Sequence, residues 1–92
     1  MSNILIYINA GNIHGMGHFH RSHAIGTFLE LQGYKVYFTG DINDYCASIL
    51  SRQFKIIFFI EVETKQVIID ATTISSEFRK GLSNKEKVIL IS

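Results

Sequence analysis

The chain has 92 residues, 47% of them hydrophobic and 18% charged, a balance that excludes a disordered or tail-like sequence. Its formal net charge of +1 excludes a strongly basic surface, so we expect no nucleic-acid partner, and no apolar run is long enough to suggest membrane insertion. Because Cys46 is the only cysteine and no signal-like segment opens the chain, the sequence predicts a cytoplasmic protein that forms one domain over residues 1–92.

The first third of the chain has the pattern of a strand, a glycine-rich loop and a helix. Residues 4–8 form a continuous apolar run, which is typical of a strand buried on both faces. Residues 9–17 contain three glycines and are predicted to form a loop. Residues 18–32 carry apolar side chains at helical spacing, and Gly33 follows them as the glycine that ends the helix.

Gly26 lies inside this predicted helix, where glycine costs about 1 kcal/mol relative to alanine. We therefore expect the helix to pack closely on a neighbour at that position. A second strand is predicted over residues 34–38, closed by a turn at residues 39–41. Strand, helix and strand in this succession form a βαβ unit, whose two strands are parallel.

The second half of the chain breaks this regular alternation. A second helix is predicted to begin with Asp41 or Asn43 as its cap. Two apolar runs, residues 54–60 and 67–70, are predicted strands, but only residues 61–66 separate them. A parallel crossover needs a dozen or more residues, so either these two strands form a hairpin, which we favour, or the third strand is shorter than its apolar run and the connection is irregular.

The chain closes with a short helix, capped by Ser75 or Ser76, and an apolar last strand at residues 87–91. The predicted fold class is α/β: a Rossmann-like, three-layer domain with a mostly parallel sheet, the first strand central and the last near an edge. An apolar part of the sheet is left for other structure to cover. We therefore expect either a homo-oligomer or a C-terminal domain that is missing from these residues.

The segment with the clearest chemical content is Gly15-x-Gly17-His18-x-x-Arg21, where the loop runs into the first helix. A helix N-terminus offers unpaired N–H groups and a partial positive charge to an anion. A neutral imidazole such as that of His18 can accept a proton from water at neutral pH. Arg21, one turn further on, lies on the same side and could face a phosphate or support the loop.

This segment resembles the opening motif of the GT-B superfamily, in the G-x-G-H-x-x-R form of the UDP-sugar hydrolases of pseudaminic acid biosynthesis. Spore-coat polysaccharide biosynthesis proteins and glycosyltransferases akin to the peptidoglycan N-acetylglucosaminyl transferase carry similar segments. Residues 4–38 follow the family's strand, glycine loop, helix and strand, and residues 67–91 are similar to its "VVVD…S.EY…KVVVID" stretch. The similarity covers most of this chain but only the opening part of a family member.

The resemblance implies the N-terminal half of a GT-B architecture, without the second, nucleotide-binding domain. It implies hydrolysis of a UDP-amino sugar at the anomeric carbon in surface-polysaccharide biosynthesis, with UDP as the leaving group. His18 matches the histidine that activates water, and no cofactor or metal is implied. The candidate substrate-binding residues are Asn9, Gly15, Gly17, Arg21 and Asp70.

The chain departs from the family's pattern near the end of the first strand. The hydrolases often carry Arg-x-Asp there, whereas this chain has Tyr7 and Asn9, so a carboxylate expected near the site is missing. Asp70 ends a buried strand at the ligand edge of the predicted sheet. It is predicted either to bind substrate or to cap the following turn through Thr72 and Thr73.

Other functions fit the same residues. The glycine-histidine segment could form a turn at the start of the helix without binding any ligand. The chain could also be the acceptor domain of a glycosyltransferase. A third alternative is a truncated, non-catalytic domain that acts by self-association. His14 and His18 are four residues apart, and His20 and His23 are three apart. No cysteine or carboxylate lies among these histidines to complete a tetrahedral set, so we predict no metal site.

Overall fold

The structure, a computed structural model, describes residues 3–11, 15–57, 66–71, 74–81 and 87–91. These residues contain five strands and three helices. In chain order the elements are β1 (Asn3–Ala10), α1 (Gly17–Leu31), β2 (Lys35–Ile42), α2 (Asp44–Leu50), β3 (Lys55–Ile56), β4 (Gln66–Asp70), α3 (Ser76–Gly81) and β5 (Lys87–Leu90).

The five strands form one sheet in the order β3-β2-β1-β4-β5, and every pair of neighbours is parallel. β1 is central and β5 lies at an edge, so both predictions are confirmed. The continuous apolar run of β1 is explained by its position, because residues 4–10 are buried between strands on both sides and helices on both faces. The α/β class is confirmed, and the strand order is consistent with a Rossmann-like layout.

The predicted hairpin between the third and fourth strands is wrong. β3 pairs with β2 and β4 pairs with β1, so the two strands lie on opposite sides of the β1–β2 pair. β3 is two residues long, which leaves residues 57–65 to connect the two sides of the sheet. Of the predicted connection over residues 61–66, residues 61–65 lie outside the described residues and Gln66 is the first residue of β4.

β2 is longer than predicted, because residues 39–41 continue the strand instead of closing it with a turn. The pairing with β1 runs to Ala10 and Ile42. Gly40 makes this possible, since it has φ +124° and lies directly beside the backbone of Ile8. A residue with a side chain would neither adopt that φ readily nor fit against the neighbouring strand.

Two hydrophobic clusters lie on opposite faces of the sheet and define a three-layer arrangement. One contains Phe19 of α1 together with Cys46 and Leu50 of α2. The other contains Phe78 of α3, whose ring packs on Tyr7 with a centroid distance of 4.2 Å. Side chains that alternate along β1 and β4 therefore point to α1 and α2 on one face and to α3 on the other.

Local signals in the sequence are confirmed at the helix ends and inside α1. Gly33 follows α1 with φ +98°, Asn43 caps α2 by accepting from the Cys46 N–H, and Ser75 accepts from the Phe78 N–H of α3. Gly26 packs closely as expected, because a Cβ there would lie 3.0 Å from the ring of Phe54.

None of the helices in the described part of the chain has the length and apolar character needed to span a bilayer; the longest, α1, has 15 residues.

Candidate functional site

The candidate site lies where β1 and β4 end side by side. Asp70, the last residue of β4, pairs in register with Ile8 of β1, and α1 begins at Gly17 after the loop that follows β1. Between these two strands the order of the sheet reverses direction, since β2 and β3 lie to one side and β5 to the other. Open parallel sheets bind ligands at such a point, outside the carboxyl ends of the strands.

Asp70 is the centre of the site. Its side chain is 0% exposed, and alternation with Ile68 directs it to the face of the sheet covered by α1. Three side chains of α1 hydrogen-bond to its carboxylate: His18, Arg21 and Ser22. Residues three and four apart share a face of a helix, which explains why His18, Arg21 and Ser22 converge on one acceptor.

The contacts divide between the two oxygens of the carboxylate. His18 Nδ1 lies 2.5 Å from Oδ1, and Arg21 Nη2 donates to the same oxygen at 2.5 Å. Arg21 Nε donates to Oδ2 at 2.8 Å and the Ser22 hydroxyl donates to Oδ2 at 2.9 Å. Arg21 therefore grips both oxygens, which is the bidentate geometry of strong arginine–carboxylate pairs.

The short contact to Asp70 fixes the position of the ring hydrogen on His18. An ionised carboxylate can only accept, so the hydrogen between the two groups belongs to His18 Nδ1. Arg21 Nη2 lies 3.2 Å from the same nitrogen, but two donors cannot bond to each other. In the neutral imidazole the lone pair is consequently on Nε2, and that nitrogen can accept a proton from a bound molecule.

The carboxyl group of Asp70 is held in its charged form despite its burial. Burial raises its pKa, but the hydrogen bonds from α1 and the charge of Arg21 lower it more, from the ordinary value of 3.8 to about 2. The same hydrogen bond raises the pKa of Arg21. The pair therefore remains fully ionised at neutral pH, with Asp70 serving as an acceptor.

We expect the free energy of unfolding to fall by about 2 kcal/mol as the pH drops from about 4 to about 2. A carboxyl group with a lower pKa in the folded state stabilises the fold above its unfolded pKa, and this contribution is lost as the pH falls through the folded value. Urea unfolding at a series of pH values checks the effect, with Asp70→Asn as a control that has no titrating group at this position. A difference between wild type and Asp70→Asn that stays constant over this range would contradict the expectation.

The loop before α1 is closed at its base by a pair of backbone hydrogen bonds. Gly11 N–H donates to Gly15 O at 2.8 Å, and Gly15 N–H donates to Gly11 O at 2.9 Å. The N–H of Gly15 is thus engaged within the chain, and the φ of +75° at Gly15 is a reason for glycine there. Gly15 was predicted to let a ligand approach the backbone, but its positive φ also explains why a glycine is present there.

Gly17 is different from Gly15. It is the first residue of α1, is exposed, has no positive φ, and a Cβ built on it would meet nothing within 4 Å. Neither conformation nor space in the described part of the chain requires a glycine at this position. α1 also has no side-chain cap, because Met16 at the N-cap position makes no capping hydrogen bond. The absence of a side chain at Gly17 fits a ligand that approaches the start of α1.

Asn9, a predicted substrate-binding residue, lies in the interior of the fold. It is 1% exposed in β1, and alternation with Ile8 places its side chain on the face opposite Asp70. The hydrolases often carry a carboxylate at the end of their first strand, and this chain has Asn9 there. Here the carboxylate that hydrogen-bonds to His18 is Asp70, at the end of β4. The predicted cap of the turn by Asp70 involves residues 72–73, which lie outside the described residues.

Ser22 is the member of this group that the sequence analysis missed. It is 0% exposed and its hydroxyl donates to Asp70. A signal for it existed: it is four residues after His18 and adjacent to Arg21, on the face of α1 that the motif already identified. A serine in an apolar helix face is common enough that the spacing alone carries little weight.

His20 and His23 are not part of the group around Asp70, since their rings pack against the aromatic ring of Phe19 on α1. His14 lies outside the described residues. Within the part of the chain that is described, no three His, Cys, Asp or Glu side chains gather as a metal site would require.

Comparisons of the chain with models of known protein families, with curated proteins and with solved structures gave no match. The geometry around Asp70 and the motif at the start of α1 therefore carry the functional conclusion.

Proposed function

We propose that this chain is the N-terminal, acceptor-side domain of a GT-B enzyme that hydrolyses a UDP-amino sugar at its anomeric carbon in surface-polysaccharide biosynthesis. His18 is the general base. The observation that carries the proposal is the hydrogen bond from His18 Nδ1 to the buried carboxylate of Asp70, which leaves Nε2 as the basic nitrogen at the ligand edge of the sheet. The G-x-G-H-x-x-R motif supplies the substrate class.

The reaction is a single displacement. A water molecule attacks the anomeric carbon, His18 Nε2 accepts a proton from that water, and the bond from the anomeric carbon to the phosphate oxygen breaks. UDP leaves with the electron pair of that bond. Asp70 remains ionised throughout and stabilises the imidazolium that forms, as a carboxylate behind a catalytic histidine does in other hydrolases.

Arg21 serves this chemistry by holding Asp70, because Nε and Nη2 are both engaged by the carboxylate. The diphosphate is consequently bound mainly by other groups, which in a GT-B enzyme belong to the second domain. The sugar approaches the start of α1, where Gly17 leaves the backbone open.

We expect the whole enzyme, this domain together with the nucleotide-binding domain that the proposal requires, to release UDP from UDP-N-acetylglucosamine, used as the probe, about 100-fold faster than its His18→Gln variant does, because a positioned base contributes about 100-fold or more. His20→Gln is the matched control, since His20 is an exposed histidine of the same helix outside the group around Asp70. Water labelled with ¹⁸O should place the label on the sugar. Equal rates for wild type and His18→Gln, or label in the UDP, would rule out this reaction.

The same assay distinguishes a transferase. UDP release that depends on an added sugar acceptor would make the chain the acceptor domain of a glycosyltransferase, in which His18 deprotonates a sugar hydroxyl instead of water.

A second candidate function, self-association without catalysis, is favoured by the exposed edge strand. Val88, Ile89 and Leu90 of β5 are 40%, 41% and 68% exposed, so both faces of this strand are uncovered by the described residues. A cavity of about 180 Å³ lies beside it, lined in part by Leu29 and Ile68. An apolar edge strand offers unpaired backbone N–H and C=O groups to which a strand of another chain can pair.

If β5 mediates self-association, sedimentation velocity should show a dimer or larger species for wild type and a monomer for Leu90→Lys. Lys80→Ala, which alters an exposed residue of α3, serves as the control. A wild-type chain that sediments as a monomer at all concentrations would exclude this candidate.

A further inference from the structure

We infer that Ser22 is a positioning residue that acts on His18 through Asp70: its hydroxyl holds one carboxylate oxygen so that the other oxygen faces the imidazole. The inference deepens the proposed function and rests on it, in that His18 is the base of the reaction. Ser22 contacts Asp70 directly and makes no contact with the reacting atoms, so its role is positional.

The direction of the Ser22 hydroxyl is the first argument. Inside a helix, serine and threonine hydroxyls commonly donate to the carbonyl oxygen four residues earlier. Thr27 of the same helix does so, donating to His23 O at 3.0 Å. Ser22 instead donates at 2.9 Å to Asp70 Oδ2 on the sheet. The hydroxyl of Ser22 therefore links α1 to β4.

The second argument is that Ser22 is buried, whereas Arg21 is partly exposed to solvent. The side chain of Arg21 bonds to both oxygens of Asp70 but is 45% exposed. A long, half-exposed side chain can follow the carboxylate as it turns, so its two hydrogen bonds do not by themselves hold the plane of the carboxylate toward His18. Ser22 is short and 0% exposed, and its single acceptor in this group is Oδ2. Ser22 thus fixes the rotation of the carboxylate.

The orientation of the Asp70 carboxylate determines which tautomer of His18 is populated. With Oδ2 held by Ser22, Oδ1 stays 2.5 Å from His18 Nδ1 and keeps the ring hydrogen there. If the carboxylate could rotate, the alternative tautomer, with the hydrogen on Nε2, would become populated. That form cannot act as a base through Nε2.

The test is ¹⁵N NMR of the His18 ring in the full chain at about pH 8, above the ordinary range for imidazole. In wild type we expect the hydrogen on Nδ1. In Ser22→Ala we expect the ratio of Nδ1–H to Nε2–H forms to fall by about tenfold, which corresponds to the free energy of one hydrogen bond to a charged group. Thr27→Ala, which removes a hydroxyl from the same helix, should leave the ratio unchanged. Ser22→Cys, similar in volume but a weak donor, provides a second variant if Ser22→Ala does not fold.

The outcomes for Ser22 and for the proposed reaction are distinguishable. A wild-type tautomer ratio in both Ser22→Ala and Ser22→Cys would overturn the role of Ser22, even if the chain releases UDP. A shifted ratio supports that role even if wild type releases no UDP, in which case only the hydrolase proposal fails. If the chain is active, Ser22→Ala should also lower kcat by about tenfold with KM unchanged.

Discussion

Asp70→Ala is expected to lower the free energy of unfolding by about 3 kcal/mol at neutral pH. The substitution leaves the buried hydroxyl of Ser22 and the Nδ1–H of His18 without their acceptor. Removing one partner of a buried charge pair typically costs about 3 to 5 kcal/mol. The loss should lie at the lower end because Arg21 is 45% exposed and can turn its charge toward water.

Urea denaturation followed by circular dichroism measures this loss. Asp41→Ala is the control, because Asp41 is an exposed carboxylate at the end of the neighbouring strand β2 and its removal should cost less than about 1 kcal/mol. If Asp70→Ala and Asp41→Ala lose the same stability, the contacts around Asp70 do not contribute to the fold as described.

Gly40→Ala is expected to destabilise the chain by about 4 kcal/mol, the combined cost of a strained backbone and a steric clash. The φ of +124° at Gly40 is one that residues with a side chain rarely adopt. A Cβ there would also collide with the carbonyl oxygen of Ile8 and lie 2.9 Å from its nitrogen. Both atoms belong to the backbone of the central strand, which cannot move aside without breaking its pairing with β2.

Thermal unfolding of Gly40→Ala checks this, with Gly17→Ala as the matched control. Gly17 has no positive φ and an added Cβ would meet nothing within 4 Å, so alanine should be neutral or slightly stabilising at the start of α1. A Gly40→Ala variant as stable as Gly17→Ala would mean that β2 does not run beside β1 at Gly40.

The parts of the fold that could be predicted from the sequence depend on local patterns. The apolar run of β1 and the helical spacing that ends at Gly33 are properties of neighbouring residues. They predicted a buried strand and α1 closely. The close packing at Gly26 also followed, because an unfavourable residue inside a helix needs a packing reason.

The pairing of β3 and β4 could not be predicted because it depends on residues that are distant in sequence. A short connection favours a hairpin only if both strands are long enough to pair, and β3 has two residues. β4 pairs with β1, whose residues lie about 60 positions earlier, and no local pattern specifies that partner. The prediction ended β2 too early because it assigned Gly40 to a turn. In the structure a glycine is needed there because the backbone of Ile8 lies directly beside it.

The motif predicted a candidate site at the start of α1, but the contacts among its residues required the structure. His18 and Arg21 were expected at the ligand edge, and Asp70 was expected there as a substrate ligand or a turn cap. The structure instead brings Asp70 into contact with His18 and Arg21. That contact spans about 50 positions of sequence and depends on the direction of one side chain on β4. Asn9 illustrates the same point, since alternation turns its side chain to the other face.

Under the proposed function, the loop and helix start from Gly15 to Arg21 form one half of a site that orients a base. The N–H of Gly15 closes the loop, Arg21 grips Asp70, and His18 presents Nε2. The proposal leaves binding of the nucleotide to other groups.

The position of the ring hydrogen on His18, measured by ¹⁵N NMR of the wild-type chain at about pH 8, tests the pairing with Asp70 most directly. We expect the hydrogen on Nδ1 and the lone pair on Nε2. In Asp70→Asn the side-chain amide can donate to Nδ1, so the hydrogen should move to Nε2. A wild-type chain in which the hydrogen already lies on Nε2 would contradict the assignment of His18 as a base held by Asp70.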